Sequence, residues 1–510
     1  MQIDLLREEC RAYQRYVTKH EALFSPARAL PEDILRSIFL FSLVDVPSQP
    51  FLAKDNSLRG DYVRPTSAPL LLTYVCHRWR EIALNMPELW TNPHITYPMR
   101  SWGRREWDPH PTTPDLLNLY VSRSSCLPIS VTLEGKERDE SNESWAAGKP
   151  LREAVTAGLR RCKRLTLSAS STRLMEIVTL PHSTAPLLEC VDIRYDGHDR
   201  MRNPFRNQPN GICNGSAIRA IGWTGHLPAN LSLLTELRVS DSENGHNLLC
   251  ILAGYPLIQH VHFVVQTHSY VSTSPPATDT ITLPHLHSLE ISPYNAEREF
   301  FDKLHLPTLT KLSQSGIFGL WHLQQPIERY GSTILYLSLC AYMFSAKELK
   351  SVLCRLPHLE KLELSDDVGH VAGGELRADG ELPSSVLTSE ATMRMLTPGY
   401  KEFSRDNAEF TDSWDLRDAD GEEDIAKRES EIICPKLRGI TIRVTKGPPC
   451  GISDFAIYMF IQRRRNLGGD VALQAVTIIQ EGVVMEGGFN VVDELRDDGV
   501  DIAGMMIHLQ

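Results

Sequence analysis

Short apolar runs of the form Leu-x-x-Leu-x-Leu recur along most of this chain, and their spacing limits the possible folds more than any other feature. Six consecutive runs start at residues 234, 258, 286, 309, 334 and 359, so that neighbouring starts are 23 to 28 residues apart. Further runs start at residues 162, 188, 437 and 473, with a weaker one at 218. One short strand of this kind cannot bury its apolar face alone, whereas stacked copies form a continuous core.

A period of 20 to 29 residues with this pattern is the signature of leucine-rich repeats. We therefore predict an irregular leucine-rich-repeat solenoid over residues 112–484, an α/β fold of short parallel strands with outer helices. The stretch 345–357 is one such helix. The first, fourth and sixth residues of each run face the core. The last two inward residues of neighbouring runs are therefore expected to stack in pairs, for example Leu337 with Leu362 and Leu339 with Leu364.

Residues between the inward leucines face the other side of each strand, which in such a solenoid is the concave, partner-binding side. Along this strip the side chains are polar and mixed in charge, as in a selective protein-binding surface. The predicted target-binding residues are Glu236, Arg238, His287, Glu290, Lys361 and Glu363. For each single residue the alternative is ordinary solvated sheet surface.

The negative charge of the chain is concentrated in one segment. The whole chain has a net charge of −11, and residues 366–433 contain 18 acidic and 7 basic residues, which accounts for all of it. The segment interrupts the regular spacing of the runs, so we predict an acidic insertion with a short helix within 387–398. Nothing elsewhere resembles a basic nucleic-acid footprint, and nucleic acid is not a predicted partner.

Cysteine usage and hydropathy indicate an intracellular protein. The eleven cysteines are scattered singly without a Cys-x-x-Cys pair, which fits buried thiols in a reducing compartment. The first residues lack the features of a signal peptide, and no apolar run approaches the ~18 residues that span a bilayer. We expect a cytoplasmic or nuclear location and no membrane partner.

The sequence lacks the common catalytic motifs. The chain contains no P-loop, G-x-S-x-G or H-E-x-x-H pattern, each of which has a defined chemistry. Cys76 and Cys434 are interpreted as small buried hydrophobic residues rather than as nucleophiles. We predict no enzymatic activity, no cofactor and no metal site.

The stretch ALPEDILRSIFLFSLVD, residues 29–45, is too apolar for a helix that buries one face only. An amphipathic surface helix needs a single apolar stripe about 100° wide, and this stretch has apolar residues for a second stripe. Contiguous exposed apolar surface marks a protein interface. The alternative is that both stripes are buried against the repeats.

The motif LPEDILRSIF, residues 30–39, followed by YVCHRWREIA, residues 74–83, and MPELW, residues 86–90, resembles the F-box. The resemblance covers residues 25–92, a small all-α module. The whole arrangement is similar to fungal, basidiomycete-type F-box proteins with a degenerate leucine-rich-repeat region. One departure is the loop 44–68 between the two halves, which the family usually joins with a few residues.

The resemblance implies a partner and a function. F-boxes dock on a Skp-family adaptor that links them to a cullin scaffold, so the chain is expected to be the substrate receptor of an SCF-type ubiquitin ligase. The adaptor-binding residues that it implies are Leu30, Pro31, Ile34, Leu35, Ile38, Val75 and Cys76. The alternative is a non-catalytic repeat scaffold whose F-box-like hairpin recruits no ligase. Exposure of Leu30, Ile34, Leu35 and Ile38 favours the receptor, and burial against the repeats favours the scaffold.

Both ends of the chain carry separate predictions. Residues 1–24 have apolar residues spaced alternately by three and four, which predicts an N-terminal helix that packs on its own protein, with a short coiled coil as the alternative. Residues 485–510 are predicted to form an atypical terminal cap. Neither end has a pattern that identifies a ligand or a target.

Overall fold

A computed structural model gives the structure of most of the repeat region and of the helical N-terminal part. It describes residues 8, 10, 13, 14, 16, 30–43, 69–97, 112–135, 142–169, 177–195, 211–215, 217–223, 231–241, 247–265, 280–292, 299–314, 321–340, 344–365, 391–398, 432–444, 452–466, 473–480, 491–500, 502 and 505–509. The predicted loop 44–68, and most of the predicted N-terminal helix and acidic insertion, lie outside the described residues. The chain divides into two compact units, Met1–Leu231 and Ser232–Gln510.

The first unit begins with a group of short helices over residues 30–43 and 69–92, called the helical module below. Its elements are α1 (Glu32–Phe41), α2 (Leu70–Val75), α3 (His77–Leu84) and a 3-10 turn at Pro87–Trp90. Cys76 is extended, with φ −160°, and thereby separates α2 from α3. Its sulfur accepts a hydrogen bond from the Trp79 backbone N–H at 3.5 Å, so this cysteine caps the start of α3.

The core of the helical module continues into the helix that follows it in the chain. Its buried residues share one cluster with Tyr120 of α4 (Thr112–Arg123), and the rings of Trp90 and Tyr120 meet edge to face at 5.2 Å. The indole N–H of Trp90 donates to the Ala83 carbonyl at 2.8 Å, which satisfies its one polar atom. The predicted module ends at residue 92, but its hydrophobic core continues past that residue.

The rest of the first unit is a parallel sheet with strand order β1-β2-β3-β4-β5. Its strands are β1 (His94–Tyr97), β2 (Ile129–Gly135), β3 (Cys162–Ala169), β4 (Cys190–Tyr195) and β5 (Ala220–Trp223). Helix α5 (Asn142–Leu159) precedes β3, and 3-10 turns occur at His182–Thr184 and Ile212–Asn214. The runs at 162, 188 and 218 form strands as predicted, whereas β1 and β2 lack the repeat pattern and were not predicted.

The described residues of the second unit form a parallel sheet of nine strands in the order β6-β7-β9-β11-β12-β13-β14-β15-β16. Their bounds are β6 (Glu236–Asp241), β7 (His260–Val265), β9 (Ser288–Ser292), β11 (Lys311–Gln314), β12 (Tyr336–Cys340), β13 (Lys361–Ser365), β14 (Gly439–Val444), β15 (Ala475–Gln480) and β16 (Met506–Leu509). Strands β8 (Ile281–Thr282) and β10 (Leu304–His305) form a separate two-stranded parallel sheet. This arrangement is compatible with the predicted solenoid-like α/β fold.

Helices alternate with the strands of the second unit. They are α6 (Asn247–Ala253), α7 (Glu299–Asp302), α8 (Trp321–Tyr330), α9 (Ala346–Leu353), α10 (Ala391–Leu396), α11 (Asp454–Arg465) and α12 (Val491–Asp497). Helix α9 begins with a capping box, in which the Ser345 hydroxyl accepts from the Glu348 N–H and the Glu348 carboxylate accepts from the Ser345 N–H. Hydrogen bonds from the Ser345 N–H and hydroxyl to its carboxylate lower the pKa of Glu348. Helix α11 is capped by Ser453, whose hydroxyl accepts from the Ala456 N–H.

The predicted strand register is confirmed. Leu337 pairs with Leu362 and Leu339 with Leu364 across β12 and β13, and these four side chains are at most 1% exposed. The run at 437 pairs next to β13, although 78 residues separate the two starts in the sequence. The acidic insertion therefore leaves the order of the sheet unchanged.

A repeated backbone contact fixes this register at the start of the strands. The Thr310 carbonyl accepts hydrogen bonds from the N–H groups of Leu335 at 2.8 Å and Tyr336 at 3.0 Å, and the Leu335 carbonyl accepts from Glu360 at 2.8 Å and Lys361 at 3.0 Å. The same paired contact is made by the carbonyls of Thr235, Gln259, His287, Glu360 and Arg438. In each case the carbonyl of one turn accepts hydrogen bonds from two N–H groups of the next turn along the sheet.

A buried arginine joins the two chain segments that flank residues 399–431. Arg464 of α11 is 3% exposed, and its guanidinium donates to the carbonyls of Leu396 at 2.9 and 3.0 Å, Ile433 at 2.6 Å and Cys434 at 2.8 Å. Burial lowers the pKa of Arg464 to about 10, so the group is charged at neutral pH.

Arg464→Met should destabilise the second unit by at least about 3 kcal/mol, because three buried carbonyls lose a charged donor. The adjacent Arg463→Met removes the same charge, yet Arg463 is only partly buried, so this control should change stability by less than about 0.5 kcal/mol. Denaturant unfolding followed by circular dichroism measures both. Equal unfolding midpoints for the two variants would contradict the role of Arg464.

Leu362→Asp should unfold neighbouring strands, because it places an unpaired carboxylate in the core at a cost of several kcal/mol, of order 3–5. Lys361→Asp is the control, since it puts the same group on the exposed adjacent position of the same strand. Thermal unfolding should show a lower midpoint for the first variant only. A normal midpoint for Leu362→Asp would refute the inward position of this residue.

Candidate sites: an apolar helix face and a polar sheet strip

Helix α1 has two apolar faces, only one of which is buried. Leu35 and Phe39 are fully buried in the helical module, whereas Ile34, Ile38 and Phe41 are 44%, 42% and 75% exposed. Residues at i, i+4 and i+7 lie on one face of a helix. The exposed residues therefore form a continuous stripe on the side of α1 away from the module core.

Helix α2 also exposes large apolar side chains. Leu71, Tyr74 and Val75 are exposed, while Leu72 between them is buried. Six of the seven large apolar side chains that α1 and α2 expose are together called the apolar face below, and they are Ile34, Ile38, Phe41, Leu71, Tyr74 and Val75. Grouped exposed apolar residues of this size are typical of protein-interaction sites.

Two arginines of α3 hold the helical module together at its surface. The guanidinium of Arg78 donates to the Leu30 carbonyl at 2.7 Å, just before α1 begins. The Nε of Arg80 donates to the Thr73 carbonyl of α2 at 2.8 Å. The Thr73 carbonyl lies in the last turn of α2, where backbone acceptors lack intrahelical partners, and the Leu30 carbonyl lies outside α1. The first bond holds the start of α1 against α3, and the second holds α2 against α3.

The structure places the predicted adaptor-binding residues in different environments. Pro31, Ile34, Ile38 and Val75 are exposed, and Leu30 and Cys76 are half-buried. Leu35 differs from the prediction, because it is fully buried and so supports the surface instead of forming it. Cys76 serves as the cap of α3.

Three exposed residues of the apolar face were missed from the sequence as candidate contacts: Phe41, Leu71 and Tyr74. The spacing of seven residues from Ile34 was a signal for Phe41. For Leu71 and Tyr74 no comparable signal exists, because the exposed side of α2 depends on the helix break at Cys76.

A second candidate site, called the polar strip below, lies on the outward face of β7 to β13. Strand register aligns a first row of residues, namely His260, Ser288, Lys311, Tyr336 and Lys361. It aligns a second row two positions further along the strands, namely His262, Glu290, Ser313, Ser338 and Glu363. Neighbouring strands lie about 4.8 Å apart, so side chains within a row are in reach of each other.

The two carboxylates of the second row have partners inside the strip. Glu290 Oε2 lies 2.9 Å from His262 Nδ1, and both side chains are largely buried. The Tyr336 hydroxyl donates to the Glu363 carboxylate. Burial and this hydrogen bond raise the pKa of Tyr336 above its ordinary value, so the phenol remains a donor.

The predicted target-binding residues divide between the strip and its surroundings. Lys361, Glu363 and Glu290 belong to the strip, but Glu290 is only 5% exposed, which leaves it little surface for a target. Glu236 and Arg238 lie on β6 opposite His260 and His262, and so continue the two rows.

His287 precedes β9 and is exposed, with Nδ1 3.1 Å from the Thr308 carbonyl. It therefore borders the first row without belonging to it. Lys311 and Tyr336 were not predicted as contacts, although they occupy the same position in their runs as Lys361 does in its own.

Two candidate features for chemistry are a buried thiol, Cys434, and clusters of metal-ligating side chains. Burial raises the pKa of the Cys434 thiol to about 12, so it is protonated at neutral pH, and thiolate rather than thiol is the nucleophile. Within the described ranges, no group of three or more His, Cys, Asp or Glu side chains is arranged to hold a metal ion.

Comparison with known proteins provides no further assignment. No family profile matches this chain, and no curated protein is significantly similar to it. Among the described helices, none has the length and apolar composition needed to cross a membrane. Functional inference therefore depends on the two surfaces and on the sequence motifs.

Phe39→Ala and Phe41→Ala form a matched pair that tests the two faces of α1. Removing the buried Phe39 ring should cost about 3–5 kcal/mol, whereas removing the exposed Phe41 ring should change stability by less than about 0.5 kcal/mol. Thermal unfolding of the two variants measures the difference. A large loss of stability in Phe41→Ala would show that the apolar face is covered within the protein.

Proposed function

We propose that this chain is the substrate-recognition subunit of a cullin-based, SCF-type ubiquitin ligase. In this proposal the helical module is an F-box that binds a Skp-family adaptor, and the leucine-rich repeats bind the target protein. The observation that supports it most directly is the two-sided helix α1, which buries Leu35 and Phe39 and exposes Ile34, Ile38 and Phe41.

Burial of the apolar face would contribute to a specific complex. Full burial of one large apolar side chain stabilises by about 1.5–3 kcal/mol, and the six residues of the face are on average about half exposed. Their burial would thus contribute about 5–9 kcal/mol, before the cost of association. A micromolar complex requires a net binding free energy of about 8 kcal/mol, so further contacts must supply the rest and offset that cost.

The polar strip supports the target-binding half of the proposal. It lies on the strand face opposite the buried leucines, and most of its residues carry charged or polar groups. Polar and charged groups at an interface contribute specificity and rapid association more than affinity. Such a strip suits selection among targets.

The alternative function, a scaffold that recruits no ligase, requires the apolar residues of α1 to be buried against the repeats. Leu35 is buried, but within the core of the helical module and α4. Ile34 and Ile38 are exposed among the described residues. This arrangement favours the receptor over the scaffold.

The double substitution Ile34→Ser and Ile38→Ser tests adaptor binding. It should weaken binding to a purified Skp-family adaptor at least about tenfold and leave thermal unfolding unchanged, because both residues are exposed. The control is Leu233→Ser with Leu257→Ser, which are exposed to almost the same extent, 44% and 42%. Calorimetric titration of the full chain with the adaptor measures both.

Two outcomes would contradict the proposal. If the Ile34 and Ile38 variant binds the adaptor as the unchanged chain does, the apolar face is not the contact. If the unchanged chain shows no adaptor binding at all, the scaffold function is the better explanation of the helical module.

A further inference from the structure

Two cysteines lie close together where α9 ends and the chain enters β14. Cys354 directly follows α9 and is exposed, whereas Cys434 precedes β14 and is 2% exposed. The Cys434 thiol donates a hydrogen bond to the Leu353 carbonyl, with 3.5 Å between sulfur and oxygen. Leu353 and Cys354 share one planar peptide group, so the Cys434 sulfur lies within about 6 Å of the Cys354 Cα.

The ionisation of the buried thiol reflects two neighbours. Burial raises the pKa of Cys434 to about 12, the charged Arg464 guanidinium opposes this rise, and the Cys354 thiol adds to it. Arg464 also donates to the Cys434 carbonyl at 2.8 Å, which places its positive charge beside the cysteine. The pair therefore combines an exposed thiol with a buried thiol that lies next to a cation.

The backbone of Cys434 has a conformation that is unusual for cysteine. Its φ of +51° lies in the left-handed region, which glycine adopts at lower cost. The residue also precedes Pro435, and a residue in that position favours extended backbone. Strain of this kind concentrates at functional sites, so a cysteine at this position indicates a requirement for its sulfur.

We infer that Cys354 and Cys434 are a redox pair that forms a disulfide bond when the chain is exposed to an oxidising low-molecular-weight disulfide, such as oxidised glutathione. Both cysteines are free in the structure, which corresponds to the reduced form of the pair. Disulfides of cytosolic proteins are usually transient and redox-sensing. The inference goes beyond the proposed ligase function and does not depend on binding of the adaptor or of a target.

The exposed Cys354 reacts first. Its thiolate attacks one sulfur of oxidised glutathione, forms a mixed disulfide and releases one glutathione thiolate, which takes up a proton. The Cys434 sulfur then loses its proton and attacks the Cys354 sulfur, and the second glutathione leaves in the same way. In total two protein thiols are oxidised and one oxidised glutathione is reduced to two glutathione molecules. The high pKa of Cys434 slows the second step, and the charge of Arg464 favours the thiolate.

The bond would join the end of α9 to the segment that enters β14. Residues 355–433, which include most of the acidic insertion, would then lie within one covalent loop. A cross-link that closes a long loop stabilises a protein mainly by restricting the unfolded chain. The oxidised chain should therefore resist unfolding more strongly than the reduced chain.

The test uses the full chain, incubated without denaturant in an excess of oxidised over reduced glutathione. Remaining thiols are blocked with N-ethylmaleimide before digestion with trypsin. Mass spectrometry without reduction should show residues 351–355 linked to residues 429–436, with two hydrogen atoms fewer than the two free peptides together. Dithiothreitol should separate them. Thermal unfolding should show a midpoint at least about 5 °C higher for the oxidised chain.

Matched variants locate the bond. Cys354→Ser should abolish both the linked peptide and the rise in the unfolding midpoint. Cys126→Ser is the control, because it removes another exposed thiol and should change neither result.

Three results would overturn the inference: a Cys434 that stays unlinked after prolonged incubation while Cys354 carries glutathione, linkage of Cys434 to a different cysteine, or the same rise in midpoint for Cys354→Ser as for the unchanged chain. Each of these can occur while the adaptor still binds to the helical module. Failure of the redox pair is therefore distinguishable from failure of the proposed ligase function.

Discussion

In the second unit, one turn carbonyl accepts hydrogen bonds from two N–H groups of the next turn, and this contact repeats from strand to strand. The rest of the unit depends on it. It fixes the start of each strand against its neighbour, as Thr310 does for β12 and Leu335 does for β13. Inward leucines then pair with inward leucines, and the core is continuous. The same register aligns the outward residues, so the bonds that specify the core also assemble the polar strip.

This contact also explains how the chain accommodates a long acidic insertion between β13 and β14. The Glu360 carbonyl accepts from Arg438 and Gly439 as if the two repeats were consecutive. The entropic cost of closing a loop grows slowly with its length, by about 0.6 kcal/mol per doubling. Arg464 offsets part of this cost by binding the carbonyls of Leu396 and Ile433 on either side.

The sequence predicts those parts of the structure that depend on a repeated pattern. Leu337 and Leu362 were assigned to the core because one strand cannot bury its leucines alone, whereas β16, which lacks the pattern, was expected to be part of a cap and instead extends the sheet. The faces of α1 were harder to predict. Leu35 and Ile34 are adjacent apolar residues, and only the position of α3 and α4 determines which one is buried. Tyr336 was missed because its hydrogen-bond partner lies on another strand.

The apolar face consists of side chains that the fold itself does not use. Phe39 and Phe41 are two residues apart, yet one is fully buried and the other is 75% exposed, so the second contributes little to the core. Exposed apolar groups of this size reduce solubility. In the proposed complex the adaptor covers these side chains, which accounts for their position on the outer side of α1.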